Sequence, residues 1–388
     1  MTRYRIPFNR PGLAGRELEY IARAVAEGHA AGDGPFTRRC EELLRSALGA
    51  PRVFLTTSGT HALEMAALLL DLRPGDEVVV PSFTFVSTAN AFALRGVRPV
   101  FADIRPDTLN LDERDLERRI TPRTRAIVPV HYGGVGCEME AIGAIAARHG
   151  IPIVEDNAHG LFGAWRGKPL GTYGALGVLS FHETKNFICG EGGALIVNDP
   201  RFVARAEVLR EKGTDRSRFF RGEVDKYTWV DVGSSYVPSD LLAAFLLAQL
   251  EARERILERR RTIWRRYEDG LGAWARERGI ALPAIPPSAD PSWHMFHLVL
   301  PSPGRRDALI AGLKARGILA VFHYPPLHLS PMGRRFGGRP GDCPVAERVS
   351  ECLVRLPFYN DLAPAEQDEV IESVREAWDE PGGRRGGG

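Results

Sequence analysis

The sequence predicts an α/β protein with a mostly parallel central sheet and a smaller C-terminal α+β domain. Three observations carry this. Between about residues 50 and 200, short β-branched runs alternate with stretches of helical length and pattern. That is the signature of strand–helix units whose sheet is covered on both faces. After Pro200 the alternation stops and a long polar stretch follows. Beyond Gly270, proline-rich connections separate isolated strand and helix patterns. We therefore expect a large domain over residues 1–245, N-terminal segment included, and a small domain over 246–380. The Gly-rich tail PGGRRGGG, 381–388, is expected to be disordered.

The elements follow in order. Val53–Thr57 is a short apolar run that leads into a helical pattern over Ser58–Leu70. Asp76–Pro81 contains three consecutive valines and reads as a strand, and Ser87–Leu94 as a helix. Arg98–Ile104 is a strand and Leu111–Ile120 a charged amphipathic helix. Ala126–Val130, Met139–His149 and Ile151–Glu155 repeat strand, helix, strand. Leu176–Phe181 and Ala194–Val197 are two further strands, and Phe202–Glu211 is helical. Residues 213–236 show little periodicity, and a stretch of that length is usually functional. Ser239 can cap one long helix from Asp240 to about Tyr267. A strand at Met295–Leu300, a helix at Arg306–Arg316, a strand at Ile318–His323 and a helix at Pro364–Trp378 complete the chain.

Composition narrows the function. The net charge of +2 supplies no global basic field, so nucleic acid is not an expected partner. No apolar run is long enough to span a bilayer, and the opening MTRYRIPFNRPG lacks an apolar stretch suited to secretion. The five cysteines are scattered without a C-x-x-C pair, which argues against a disulfide framework or structural zinc. A cytoplasmic enzyme acting on small molecules is the expectation.

Three segments carry candidate chemistry. Thr57-Ser58-Gly59-Thr60 lies between a strand and a helix, where free N–H groups and the helix dipole can hold a phosphate. Small residues there can equally be a simple cap. Asp156 ends an apolar strand and His159 follows three residues on, at the strand end where ligands of open α/β sheets sit. Asp156 can face a cationic ring nitrogen or cap the next turn. Lys185, in SFHETKN, follows another apolar strand and precedes a glycine-rich turn. Partial desolvation there would lower its pKa and make it a Schiff-base nucleophile, although most lysines are solvated surface charges. Asn186 stands where an H-E-x-x-H zinc motif would need histidine, so no metal is expected. Together the phosphate cup, acid and lysine are the parts a pyridoxal 5'-phosphate site needs. Phe83 and Phe85 add aromatic faces that could stack on the ring or pack in the core.

Several stretches resemble the DegT-type sugar aminotransferases of the aspartate-aminotransferase fold, the pyridoxal-phosphate (PLP) fold type I. They include GDGPFTRRC (32–40), PSFTFVSTANAF (81–92), VPVHYGGV (128–135), SFHETKN (180–186), REKGTDRSRFFRGEVDKYTW (210–229), GSSY (233–236) and AVFHYPPLH (320–328). The resemblance implies that Lys185 carries the cofactor, Asp156 meets its ring nitrogen and His159 lies near its ring hydroxyl. It implies that Gly59, Thr60 and Ser180 bind phosphate and that Phe85 stacks on the ring. The 213–236 stretch resembles the segment that crosses the subunit interface in relatives, so a homodimer is expected; Ser235 stands where many relatives have an asparagine that reaches the partner subunit's cofactor phosphate. Glutamate would be the amino donor and a nucleotide-linked keto-sugar the acceptor, with dTDP-4-dehydro-6-deoxyglucose aminated at C4. Arg216, Arg218 and Arg221 are candidates for the diphosphate, His323 and Tyr324 for the sugar. Their alternatives are a solvated basic loop and domain-interface packing. A sugar dehydratase of this type would lack the lysine, and a non-catalytic sensor would not need the full set of Asp156, His159 and Lys185.

Overall fold

The computed structural model describes residues 4–380, so the disorder expected of 381–388 lies outside the described residues. Nine strands form in the first half of the chain: β1 (Arg52–Thr56), β2 (Glu77–Pro81), β3 (Arg98–Ala102), β4 (Thr124–Ile127), β5 (Val154–Asp156), β6 (Ala164–Trp165), β7 (Lys168–Pro169), β8 (Leu176–Ser180) and β9 (Gly193–Val197). Strands β3-β2-β4 and β5-β8-β9-β1 are two ladders. Parallel bridges Ile127–Ile153 and Val130–Asp156 join them between β4 and β5. The resulting seven-stranded sheet runs β3-β2-β4-β5-β8-β9-β1 and is parallel except for β9, which is antiparallel to both neighbours.

Alternate residues of each strand enter different cores, as a two-sided sheet requires. Phe54, Val78, Val80 and Val178 pack beneath the helix Gly59–Leu69. On the opposite face Val53, Leu55 and Leu179 meet the helices Glu17–Ala26, Pro35–Leu48 and Asp240–Glu251. Val79 and Ile127 meet the helix Met139–His149. All five residues of β2 are buried, which explains its unbroken valine run. The two N-terminal helices were not foreseen. The second is held by Asp240, whose buried carboxylate accepts from the Thr37 N–H and hydroxyl, both at 2.7 Å, and so caps it; the first is tied by Gln249, which donates to Glu17 at 2.6 Å.

Other differences have local causes. The single helix expected from Asp240 to Tyr267 is two, Asp240–Glu251 and Arg253–Glu277, separated at Ala252. The first is apolar and enclosed beside the sheet. The second is charged and crosses to another core, where Ile263, Tyr267 and Leu271 pack with Phe296, Leu298 and Val374. The division expected after residue 245 falls inside the first helix, and side chains through Ile256 still pack with the sheet. Ile318–His323 is not a strand: it makes only isolated bridges, Ile318 to Ile6 and Val321 to Arg355. Its amides are divided among partners on different elements, Ile318 donating to Leu313, Leu319 to Ile6 and Val321 to Arg355, and Pro325 and Pro326 stop any extension. His297–Val299 instead pairs with Leu353–Arg355, antiparallel. Residues 213–236 hold one short helix, Arg216–Phe220, and two isolated bridges. Among the described residues no helix is long and apolar enough to cross a membrane.

Candidate active site

The carboxyl ends of β5 and β8, the turn after β1 and a small-domain segment enclose a cavity of about 370 Å³. Gly59, Thr60, Phe85, Asp156, His159, Ser180, Lys185, His323 and Tyr324 all line it. Those of the large domain reach it by short routes from the sheet. Thr57 follows β1, and Ser58 caps the following helix by accepting the His61 N–H at 3.1 Å. The Gly59 and Thr60 amides have no helical acceptor and are free for an anion. Close packing makes the cup: a Cβ on Gly59 would lie 3.0 Å from Ser180 Cβ, and one on Gly193 only 2.3 Å from the Ser58 carbonyl carbon. The Thr60 and Ser87 hydroxyls are 2.8 Å apart beside it.

Asp156 ends β5, and its carboxylate is buried and oriented. The Thr88 hydroxyl donates to one oxygen at 2.7 Å, and the Ala158 N–H to the other at 3.2 Å. Thr84 in turn lies 2.8 Å from Thr88. The His159 ring stacks on His294, centroids 4.1 Å apart and planes 16° off parallel, and its Nδ1 is buried without a partner. His294 is itself fixed by Asn186 at 2.8 Å. Burial, reinforced by the charges of Lys185 and Arg355, holds His159 well below the ordinary histidine range, so its imidazole is neutral.

Lys185 sits in the loop between β8 and β9. The loop is closed at its base by the Phe181 N–H on the Gly192 carbonyl at 2.7 Å, which is why β9 returns antiparallel. Burial pushes the Lys185 amine down to about 8; Asp156 opposes the shift and Arg355 adds to it. A usable fraction is therefore free amine near neutrality. Across the cavity, His323 Nδ1 is 2.7 Å from the Tyr132 hydroxyl. Tyr324 holds φ at +37°, a left-handed conformation that costs a non-glycine residue energy.

The single chain does not bring the remaining candidates here. Ser235 is exposed and bridges to Glu211. Arg218 and Arg221 pair with Glu223, Arg221 also with Glu207, and Arg216 lies over the rings of Phe220 and Tyr227. Phe83 is core rather than cavity, packed on Tyr132 at 5.2 Å. Sequence reasoning missed Thr88, His294 and Arg355, which also shape the site. Thr88 could have been found as a hydroxyl opening a helix after a strand. Nothing local distinguishes the other two.

The residues fit pyridoxal phosphate on observed grounds: a cup a Cβ would fill, a His159 nitrogen orphaned among the described residues, an oriented carboxylate and a lysine lining the same cavity. Fold and site together define a PLP-dependent enzyme of fold type I. Comparison with known proteins narrows this. The model of the DegT/DnrJ/EryC1/StrS aminotransferase family matches residues 13–375. The spore coat polysaccharide biosynthesis protein SpsC of Bacillus subtilis is 32% identical over 379 residues, 96% of each chain. The aminotransferase TlmJ of Streptoalloteichus hindustanus superposes with TM-score 0.87 at 32% identity, over 97% of this chain and 98% of that one. The putative sugar aminotransferase Spr1654 of Streptococcus pneumoniae, in its PLP form, superposes with TM-score 0.89 at 27% identity, over 97% and 99%. The chain belongs to the DegT/DnrJ/EryC1/StrS aminotransferase family.

Proposed function

We propose that this enzyme transfers the amino group of L-glutamate to C4 of dTDP-4-dehydro-6-deoxyglucose, giving dTDP-4-amino-4,6-dideoxy-D-galactose. The observation that carries a transaminase reading is the convergence of Lys185, Asp156 and the Gly59–Thr60 cup on one cavity. Bound cofactor supplies an electron sink that stabilises negative charge at the substrate carbon. Lys185, whose amine is pushed down to about 8, holds the cofactor and moves the proton at that carbon. Asp156, oriented by Thr88 and Ala158, keeps the ring nitrogen protonated. His159, neutral and stacked on His294, positions the ring, and Gly59, Thr60 and Ser180 take the phosphate. Phe85, half exposed at the cavity, offers a face for stacking.

The sugar assignment rests on the motifs SFHETKN, FFRGEVDKYTW and GSSY, and on His323 and Tyr324 facing the lysine's cavity. SpsC is named for polysaccharide biosynthesis, which suits an amino-sugar product. We further propose a homodimer, in which Ser235, Arg216, Arg218 and Arg221 serve the partner's site rather than their own. The test is a glutamate-driven assay with purified nucleotide keto-sugars and NMR of the product. A small H3–H4 coupling marks the axial amine; a large one rejects the sugar pose, and nitrogen at C3 rejects the assignment.

A further inference from the structure

Between the helix Arg253–Glu277 and the strand His297–Val299, the segment Ser292-Trp293-His294 passes beside His159. Each of its residues is pinned. The Ser292 N–H donates to the Gly134 carbonyl at 3.1 Å, and the Ser292 hydroxyl donates to the His159 carbonyl. The approach is so close that a Cβ on Gly134 would lie 2.1 Å from Ser292 Oγ. The His294 N–H donates to the Gly133 carbonyl at 3.3 Å. Arg260, itself buried, donates to the carbonyls of Trp293 at 3.0 Å and His294 at 2.7 Å. Trp293 between them holds φ at +56°, a left-handed conformation that a bulky residue keeps only where its surroundings over-determine it.

The same contacts decide which nitrogen of His294 carries the hydrogen. The Asn186 amide nitrogen donates to the Ser292 carbonyl at 2.7 Å, which turns its amide oxygen to His294 Nδ1 at 2.8 Å. An amide oxygen only accepts, so Nδ1 is the donor. Burial, with the charges of Lys185, Arg260 and Arg355, keeps His294 well below the ordinary histidine range, so the ring is neutral. A half-turn of the ring would break the bond to Asn186 and leave a buried acceptor unmet. The ring is therefore held in one orientation, and it lies flat on His159. Asn186 directly follows Lys185, so the lysine's loop and this segment are tied at the same point.

The other groups facing His159 are Tyr132 and His323, with ring centroids at 6.0 and 6.3 Å, and the cations Lys185 and Arg355. His294, at 4.1 Å, is the ring in face-to-face contact among the described residues. Without it one face of His159 would open to water, where an imidazolium is well solvated. We infer that His294 is a positioning residue: locked by Asn186 and the strained Trp293, it fixes the plane of His159 and keeps water from its face, so that His159 meets the cofactor's ring hydroxyl in one orientation. This inference rests on the role proposed above for His159 and adds the residue that acts through it.

The test compares His294→Ala, which removes the ring, with His294→Phe, which keeps a flat face there. NMR of cofactor-free protein labelled with 15N in histidine, with His159→Gln to assign the signal, reads His159 directly. In wild type and His294→Phe it should stay neutral as pH falls from about 8 to about 5.5, whereas in His294→Ala it should titrate toward the ordinary value of about 6.5. With pyridoxal phosphate bound, the cofactor's absorbance in His294→Ala should gain a pH-dependent step over the same range, and His294→Phe should not. The rate of amine uptake from L-glutamate should fall about tenfold or more in His294→Ala with little change in KM, and His294→Phe should recover most of it. Should His294→Ala not fold, Asn186→Ala, which frees the ring, carries the same comparison. A silent His159 and an unmoved cofactor band in the folded alanine variant, or a phenylalanine variant no better than alanine, would overturn the inference. A wild-type protein that binds pyridoxal phosphate but takes no amine from glutamate would sink the transaminase reading instead, and the NMR and absorbance arms would still decide His294.

Discussion

Lys185 combines a sequence signal with a property that only the folded chain confers. The signal is its position just past an apolar strand; the property is an amine pushed down to about 8 by burial. Free amine is the reactive form, and its fraction grows as pH rises through the pKa. In cofactor-free protein, capture of pyridoxal phosphate should therefore accelerate with pH and level off just above 8. An ordinary lysine would continue to gain rate toward 10.5. Stopped-flow absorbance decides between the two curves. For Asp156, replacement by asparagine should leave cofactor binding in place and cut turnover at least a hundredfold, about 2.7 kcal/mol of barrier; near-normal turnover would reduce Asp156 to a turn cap. Both residues were legible because each follows a strongly apolar run, Asp156 at the end of its strand and Lys185 in the loop just beyond. Arg355 was not, since an arginine before LPFY looks like any surface charge until the small domain folds it inward.

At the scale of elements, Glu155 shows how β5 is locked. Its fully buried carboxylate accepts the N–H groups of Gly171, Tyr173 and Gly174 at 2.6–2.8 Å and meets His131 Nε2 at 2.9 Å. Glu155→Ala would strand four buried donors at the strand that carries Asp156. We expect a loss of about 3–5 kcal/mol, read as a lower urea midpoint at unchanged slope. A shift under 1 kcal/mol would mean that the loop 171–174 repacks freely. The strands of the sheet were readable because β-branched runs bounded by turns permit little else. The break at Ala252 was not, because both flanks have strong helical patterns and only the change of packing partner interrupts them. The N-terminal helices were equally hidden, since the cap of the second comes from Asp240, far along the chain.

At the scale of the whole molecule, one stretch leaves large apolar side chains uncovered. Phe220, Tyr227, Trp229, Val230 and Val232 are exposed, Trp229 to 77%. Exposed apolar residues concentrated in this way suit an interface between subunits. Under the proposed dimer, Trp229→Lys should shift the protein toward monomer in sedimentation and lower activity with it. Mixing Lys185→Ala with an Arg216→Ala, Arg218→Ala double variant, under subunit exchange, should restore part of the activity through one intact hybrid site. A fully active monomer would exclude the arrangement. The order of strands in the sheet was not legible either, because β1 waits for a partner much later in the chain: Arg52 pairs with Val197 and Thr56 with Gly193. During synthesis the ribosome must release β9 before the first strand is flanked and the Gly59 cup closed. A nascent or partly refolded chain thus has no cofactor cup to offer. Pyridoxal phosphate in the refolding buffer should leave the folding rate unchanged and slow only unfolding, because it stabilises contacts that form after the barrier is crossed.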